Sequence, residues 1–556
     1  MALFGIQPTS AQDAAEAERQ LRLQQEQLEA FRRQQQERQR ERTVQDRLQL
    51  PPEERYQSEP GERHCFPIYS LEIRGDGGLL SKEKQDALSR DFFGFCIGTR
   101  QISQLVESLT RHYFELGYVT TRIYLPQQDL GSATLRLEVV PGTVESLQFA
   151  DPGSNRHLNL STAMPLVEGE VFNLRELEQG LDQLNRLSSN NASVKLAPGE
   201  GPGASRVLVD NSPARRHRAT LGYDNSGSES TGENQRNLLL EWDSPLGLND
   251  YSYLYYQGDT QDTADGLGSE SASLHYSIPF RYWTYSLGLS QSEYLSTVAG
   301  FLTSFESSGV SRSLRTSAER LVYRDQQNKI GLQFGLVRKK SNNFIEDVLL
   351  ETSSRTLSAA SLGGSWQWYG PGGSSTFAEL VYHRGLKQFG ALEDGDGGGE
   401  PRAQFDKYTL NLNYRSGFSA WGRSWYWHSG LRGQYSPDRL YSSEQFTLGT
   451  GNTVRGYKNL GLSGDSGVVA TLELGGHFPV STGWFSGTGI RAALGVEAGD
   501  VGMPERGKQS LKSWYGSLFW SGRRFRLNLT YAEPLAAPGA LDVPGQAVYG
   551  SLNWMF

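Results

Sequence analysis

The chain has 556 residues, a formal net charge of −8 and a sequence pI near 5.7. An acidic chain gives no reason to expect a nucleic-acid partner, and this length predicts two or more folding units. The mean hydropathy is −0.52, and no run of about eighteen apolar residues is present, which argues against a transmembrane helix.

The first predicted element is a helix over residues 11–48, which are rich in Gln, Glu, Arg, Ala and Leu and contain no Gly or Pro. Leu21, Leu28 and Phe31 form a thin apolar stripe, too narrow for a large interface. Two interpretations stay open: a solvated helix or tail, and a helix docked in a polar cavity. Residues 49–64, which include "LPPEERYQSEPGER", are predicted to be a linker.

Residues 65–141 and 142–212 repeat one order of predicted elements: strand, helix, helix, strand, strand. In the first repeat, "ISQLVESLTRHYFELGY" places its apolar residues at helical spacing, and Gly117 ends the helix. The second repeat contains "TVESLQFA", "LRELEQGLDQLNRL" and "SRVLVDNSP" in corresponding places. The sequence therefore predicts two related α+β domains.

The two cysteines, Cys65 and Cys96, both fall in the first repeat. Each begins or ends a predicted element of the same small domain, which favours a disulfide over two unrelated buried thiols. Closing that loop would stabilise the domain by about 3–4 kcal/mol in the chain-entropy model, and it would indicate an oxidising compartment.

From residue 213 to residue 556, strand alternation replaces the helical period. "KYTLNLNYR" puts Tyr408 and Leu410 on one face and Lys407 and Thr409 on the other, and "RFRLNLTY" behaves likewise. Short connections such as "SPLGLN" and "SGRR" alternate with long ones such as "KQFGALEDGDGGGEPRAQ" and the stretch 437–467. About sixteen strands in this rhythm predict a transmembrane antiparallel β-barrel with its short turns in the periplasm. A soluble sandwich is the weaker alternative.

Two segments have an enzyme-like appearance. "GDSG" at 464–467 resembles the nucleophile segment of serine proteases, but no histidine stands in a matching context. "GMPERGKQ" at 502–509 departs from a P-loop because Gln509 replaces the Ser or Thr that binds magnesium. HExxH and paired CxxC motifs are absent from the sequence. We therefore expect no catalytic, metal or cofactor site, and no enzyme activity.

Val454, Arg455, Gly456 and Tyr457 form the sequence "VRGY" in the long connection before a late predicted strand. This motif, the two POTRA-like repeats and the C-terminal barrel together resemble the two-partner secretion transporters, called TpsB. "CFPI", "CIGTRQISQLVESLTRHYFELGYVTTR", "ERLVYRD" and "SGDSGV" are similar to the family too. The resemblance covers essentially the whole chain, and the cysteine pair is similar to that of the haemolysin and contact-dependent-inhibition branches.

The resemblance implies that the VRGY loop folds back into the lumen, where its arginine contacts an acid on the inner wall. In this chain the matching wall segment is "GVEAG", which makes Glu497 the expected partner of Arg455. The family usually has Asp there, so Asp500 is the alternative partner. A planar guanidinium suits bidentate contact with a carboxylate. Gly456 would allow close backbone approach, and Tyr457 would pack the loop against the wall. An exposed loop charge is the other interpretation of Arg455.

The resemblance also implies the function: export of one large partner exoprotein, a toxin, haemolysin or adhesin, across a Gram-negative outer membrane. The POTRA domains and the linker would lie in the periplasm, and these domains would recognise the exoprotein's unfolded secretion domain. Residues 1–48 would plug the resting pore. We expect outer-membrane lipid and the barrel-assembly machinery as further partners, with Phe556 as the assembly signal, and a monomer.

Alternatives of other kinds remain at this point: an insertase for other barrels, and a barrel enzyme, a passive porin or a surface adhesin. The opening residues "MALFGIQPTS" lack the basic region and apolar segment of a signal peptide. We therefore expect that the targeting segment of the exported protein has been removed.

Overall fold

The computed structural model describes residues 9–42, 65–92, 96–153, 155–260, 266–299, 303–395, 400–458, 460–480, 487–503, 507–536 and 545–556. These residues form one long helix, two small α+β domains and a closed β-barrel. The predicted linker, residues 49–64, lies outside the described residues.

The long helix α1 spans Thr9–Arg42. Its 34 residues correspond to about 51 Å at 1.5 Å per residue. The segment is helical because Gln, Glu, Arg, Ala and Leu lose little side-chain freedom in a helix, and no Gly or Pro interrupts them. None of the helices in the described residues is long and apolar enough to span a membrane.

The first α+β domain packs two helices on a three-stranded sheet. Its elements are β1 (Phe66–Pro67), β2 (Ser70–Arg74), α2 (Lys82–Ser89), β3 (Cys96–Ile97), α3 (Thr99–Glu115), β4 (Arg122–Tyr124) and β5 (Thr134–Val140). Strand β5 pairs in parallel with β2 and antiparallel with β4. Leu105, Leu109 and Tyr113 of α3 are buried in its core. Gly117 follows α3 with φ 98°, the left-handed conformation that ends a helix.

A disulfide joins Cys65 and Cys96, whose Cα atoms lie 5.2 Å apart. It lies beside the short pair of β1 and β3, in which Pro67 is opposite Cys96. Two-residue strands contribute few hydrogen bonds, so the covalent link is a large part of what holds this edge together.

Removing the disulfide with Cys65→Ser and Cys96→Ser together is expected to destabilise the first domain by about 3–4 kcal/mol. The full-length protein in detergent, treated with protease across a urea series, should be cleaved within residues 65–141 at a lower urea concentration than the wild type. Wild-type protein treated with a reductant should show the same shift. Identical midpoints for the variant and the wild type would contradict this expectation.

The second α+β domain has the same topology. It contains β6 (Thr143–Phe149), α4 (Leu160–Ala163), α5 (Leu174–Asn185), β7 (Ser193–Pro198) and β8 (Ala204–Asp210). Strand β8 pairs in parallel with β6 and antiparallel with β7. Asn173 caps α5, because its side-chain oxygen accepts a hydrogen bond from the amide of Arg175 at 2.8 Å.

The barrel is closed and antiparallel. Its strands are β9 (His217–Asp224), β10 (Gln235–Asp243), β11 (Tyr251–Asp259), β12 (Gly268–Phe280), β13 (Trp283–Ala299), β14 (Ser304–Arg324), β15 (Asn328–Ile345), β17 (Arg355–Tyr369), β18 (Ser375–Leu386), β19 (Asp406–Ala420), β20 (Arg423–Tyr435), β23 (Ser466–Val480), β24 (Thr488–Met503), β25 (Gly507–Ser521), β26 (Phe525–Ala536) and β27 (Ala547–Met555). The short β16 (Val348–Leu349) pairs antiparallel with the last two residues of β15. Strand β27 pairs with β9 and closes the ring, which confirms the prediction of about sixteen strands.

Alternation along the strands separates a lipid face from a lumen face, as in membrane barrels. On β15, Leu332, Phe334 and Leu336 point outward and are exposed. On β19, Tyr408 and Leu410 point outward, while Lys407 points inward and is buried. These are the faces predicted from the sequence.

The second α+β domain docks against the short turns at one end of the barrel. Asp182 of α5 forms ion pairs with Arg324, at 2.5 Å, and with Lys329. Arg324 also contacts Glu178 at 3.0 Å. Asn249, in the turn between β10 and β11, accepts a hydrogen bond from the amide of Asn159 at 3.2 Å. The short turns therefore lie on the same side as the two small domains.

Candidate functional site: the lumen loop and its wall

The connection between β20 and β23, residues 436–465, is called the lumen loop below. It contains a small antiparallel pair, β21 (Phe446–Leu448) and β22 (Leu462–Gly464). One apolar cluster joins the loop to inward positions of the barrel wall, and it contains Leu448, Val454, Tyr457, Val469, Val501 and Leu511. The loop is therefore packed against the inner wall of the barrel by hydrophobic contact.

The structure brings Arg455 and Glu497 together. The guanidinium Nη1 of Arg455 lies 2.8 Å from Oε1 of Glu497. The backbone N–H of Arg455 donates to the other carboxylate oxygen, Oε2, at 2.8 Å, and the hydroxyl of Ser513 donates to it at 3.4 Å. The sequence predicted bidentate contact, with both carboxylate oxygens on the guanidinium. Instead, one oxygen of Glu497 contacts the Arg455 guanidinium and the other accepts from the Arg455 backbone N–H, an arrangement called the clamp below.

The pair is largely shielded from water, which argues against the interpretation of Arg455 as an exposed loop charge. The Glu497 side chain is 2% exposed, and that of Arg455 is 28% exposed. Removing either partner would leave a charge with little access to water, which is costly. Asp500, the alternative acid, lies on the opposite face of β24 and pairs with Lys508 at 2.8 Å.

Aromatic and acidic side chains surround the Arg455 guanidinium. The Arg455 guanidinium carbon lies 4.0 Å from the ring centroid of Tyr515, a cation–π distance. The Tyr515 hydroxyl donates to Glu473 at 2.7 Å, and Tyr426 donates to the other oxygen of Glu473, also at 2.7 Å. The Tyr515 ring lies over Gly495, where an added Cβ would be 2.3 Å from it.

Sequence reasoning missed Tyr515, Tyr426 and Glu473 as site residues. A signal was present, because Glu473 is a carboxylate on the inward face of "GVVATLELGG". Its tyrosine partners become visible only with the strand register, which places Gly495 between Glu473 and Tyr515.

The rest of the VRGY motif holds the loop against the last strands. An added Cβ on Gly456 would lie 2.7 Å from the carbonyl carbon of Glu533, so the backbones approach closely. The Tyr457 hydroxyl lies at hydrogen-bond distance from the carbonyl oxygens of Lys512, at 2.9 Å, and Ala536. Tyr549 of β27 donates to the carbonyl of Arg455 at 2.8 Å.

A second ionic anchor holds the start of the lumen loop. Glu444 contacts Lys339 of β15 at 2.8 Å and Lys407 of β19 at 2.6 Å. Asp465, from the "GDSG" segment, accepts hydrogen bonds from the amide of Leu440 at 2.9 Å and the side chain of Gln445 at 3.1 Å. Both acids therefore hold the loop, and sequence reasoning did not identify either one.

Helix α1 contacts the lumen loop and inward-facing wall residues. Arg19 donates to the carbonyl of Leu460 at 3.1 Å, and Arg22 donates to Gln445 at 3.2 Å. Phe31 stacks on Tyr255, with ring centroids 3.9 Å apart. Leu28 is buried, as its place in the apolar stripe suggests. For Leu21 the structure describes the helical backbone and not the side chain.

The C-terminal residue of the barrel pairs with its first strand. The Phe556 amide donates to the carbonyl of Ala219 on β9 at 2.9 Å, and the Phe556 side chain is exposed. Over the described residues, no group of three His, Cys, Asp or Glu side chains is arranged to hold a metal ion.

Comparison with known sequences gives the family. The profile described as "Haemolysin secretion/activation protein ShlB/FhaC/HecB" matches residues 203–518. The chain belongs to this family. A ShlB-type POTRA profile matches residues 66–142, and a second POTRA profile matches residues 143–198. The two α+β domains of this ShlB/FhaC/HecB family member are therefore POTRA domains.

Individual relatives support the same family assignment. The outer membrane transporter CdiB of Dickeya dadantii is 34% identical over 411 residues, 74% of this chain and 72% of the relative. The hemolysin transporter protein ShlB of Serratia marcescens is 29% identical over 462 residues, 82% of this chain and 79% of the relative. A solved structure of CdiB from Escherichia coli matches with a TM-score of 0.87 and 28% identity, covering 95% of this chain and 98% of that one.

The protein is thus an outer-membrane transporter of two-partner secretion, with periplasmic POTRA domains and a sixteen-strand barrel. The resemblance to TpsB transporters and the predicted fold class are confirmed.

Proposed function

We propose that this transporter exports a large toxin of the contact-dependent-inhibition or haemolysin class through a pore that α1 plugs at rest. The observation that carries the proposal is the filled lumen: α1 contacts both the inner wall and the lumen loop, which is clamped by Arg455 and Glu497. The names of the relatives, CdiB and ShlB, support the class of exoprotein.

Recognition would take place on the POTRA domains. In the second domain β7 pairs with β8 at the end of the sheet order β6-β8-β7. An extended segment of the unfolded exoprotein can add to such an edge through main-chain hydrogen bonds, with its side chains setting specificity. The docking of this domain on the barrel turns would bring that segment to the pore entrance.

No covalent chemistry is needed for this function. Folding of the exoprotein outside the cell would draw the chain outward, and the lumen loop would stay on its wall while α1 leaves. The barrel would contact outer-membrane lipid as a monomer. The barrel-assembly machinery would insert it, with Phe556 as the signal.

Deleting residues 1–48 is expected to raise the single-channel conductance of the purified protein in planar bilayers, because α1 occupies the lumen. Export itself is measured by co-expression with the neighbouring exoprotein and assay of the culture medium. A matched control keeps α1 but replaces Gln34 and Gln36, two exposed residues of the helix, with Ala. Its conductance should equal that of the wild type. Unchanged conductance after the deletion would refute the plug, and absence of exoprotein from the medium would refute export by the wild type.

A further inference from the structure

The inner face of three neighbouring strands is covered with serine. Every second residue points inward over Ser269–Ser277 on β12, Ser286–Ser296 on β13 and Ser307–Ser317 on β14. All of these inward positions are serine except five: His275, Gly288, Tyr294, Gly309 and Arg315. This surface is called the serine face.

The register aligns the serines in rows across the strands. Ser290 lies opposite Ser273 on one side and Ser313 on the other, and Ser292 lies in the same way between Ser271 and Ser311. The face therefore consists mainly of small, neutral hydroxyl groups, each able to rotate and to donate or accept a hydrogen bond. The larger His275 and Tyr294 and the charged Arg315 interrupt it.

Helix α1 lies against this face. The Gln25 amide donates to the hydroxyl of Ser311 at 3.0 Å, and the Gln24 amide donates to the backbone carbonyl of Glu293 on β13 at 2.8 Å. A cavity of about 30 Å³ lies between part of α1 and the wall, and Ser290, Arg32 and Arg315 are among the residues that line it. Arg315 and Glu29 of α1 are 3.7 Å apart, with both side chains more than two-fifths exposed, so this ion pair is weak.

The wall that holds the lumen loop is built differently. There the contacts are charged and largely buried, as in the pairs of Glu497 with Arg455 and of Glu444 with Lys407. Separating such a pair leaves a charge without a partner, whereas a neutral amide that leaves a serine hydroxyl exchanges one hydrogen bond for another with water.

From this contrast, and resting on the proposed role of α1 as a plug, we propose that the serine face is a release surface. Because serine predominates on this face and its one ion pair with α1 is exposed, α1 can leave the lumen without breaking a buried ion pair on this side, while the lumen loop stays fixed on the charged wall. The serine face then determines how readily the pore opens.

The test introduces a negative charge on the serine face beside Arg32 of α1. Ser290→Asp, which shares the cavity with Arg32, should hold the helix in place. We expect at least a threefold lower open fraction in planar bilayers and at least tenfold less exoprotein in the medium. Ser290→Ala, which stays neutral, should remain within twofold of the wild type. Ser361→Asp, at an inward serine of β17 outside the serine face, should also remain within twofold.

The decisive arm repeats Ser290→Asp in the chain that lacks residues 1–48. There the substitution should have no effect, because the helix that it holds is gone. A loss that persists without α1, or no loss in the full-length chain, would overturn the proposal. Ser313→Asp, opposite Ser290, provides the same comparison if Ser290→Asp does not assemble into a heat-stable barrel. Equal conductance of the unsubstituted full-length and deleted chains would instead refute the plug itself.

Discussion

Glu497→Ala is expected to reduce secretion at least tenfold. The substitution removes the carboxylate that holds both the guanidinium and the backbone N–H of Arg455. Breaking a buried ion pair costs about 3–5 kcal/mol, and the lower end applies because Arg455 keeps part of its surface in water. A destabilisation of about 3 kcal/mol shifts the population of the clamped loop by roughly a hundredfold. The measurement is exoprotein in the medium, together with protease cleavage of the lumen loop.

Two further variants separate the two functions of the carboxylate. Glu497→Gln keeps an oxygen for the backbone amide and removes the charge, so we expect an intermediate loss. The charge swap Arg455→Glu with Glu497→Arg restores the ion pair without an acceptor for the amide, so rescue should be partial. Asp500→Asn is the matched control on the outer face of the same strand, where an exposed pair contributes little. Wild-type secretion by Glu497→Ala would contradict the clamp.

Asp182→Asn is expected to loosen the second POTRA domain from the barrel and to lower secretion about tenfold. The residue lies between Arg324 and Lys329, all three side chains being less than one-fifth exposed. Without the carboxylate the two cations repel each other, and about 3 kcal/mol of docking free energy is lost. Hydrogen exchange of the α5 amides should become faster. Asp210→Asn, in the same domain but in an exposed pair with Lys195, should leave that exchange unchanged.

A double-mutant cycle tests whether the contact itself matters. Lys329→Gln should cost little once Asp182 is neutral, because the two residues are coupled. Burial alone would raise the pKa of Asp182, but Lys329 and Arg324 outweigh it and lower the pKa below its usual value. The docking contribution is thus present above the ordinary aspartate pKa of about 4 and is lost as the pH falls through the depressed value. Docking should be unchanged between pH 7 and pH 5. Loss of docking in that interval would contradict this assignment.

Sequence patterns were sufficient to predict the strands and the two faces of the barrel. Successive side chains of a strand point to opposite faces, so a strand with lipid on one face and water on the other alternates between apolar and polar residues. The pairing of Arg455 with Glu497 came from the resemblance to a family and not from spacing, since 42 residues separate them. The clamp on the backbone amide followed from neither, because it depends on the side-chain length of Glu497 and on the depth of the loop.

Contacts between distant strands could not be predicted from the sequence for a different reason. Glu444 meets Lys339 and Lys407, which lie on strands that are not neighbours, so only closure of the ring and the path of the loop bring them together. The contact of Phe31 with Tyr255 likewise depends on where α1 lies along the lumen. Alternation shows that a side chain points inward, but it does not show what the side chain meets there.

The ladders around the cylinder are very unequal in length. Strands β13 and β14 pair at 17 positions, whereas the closing junction of β27 with β9 has five, from Ser551 to Met555. A sideways pull on the cylinder therefore meets its least resistance at that junction. Tyr549, just before it, is bonded to the carbonyl of Arg455, so any sideways strain that reaches this junction also pulls on the VRGY motif. The width of the barrel and the position of the VRGY motif are therefore mechanically linked, in part through the Tyr549 hydroxyl.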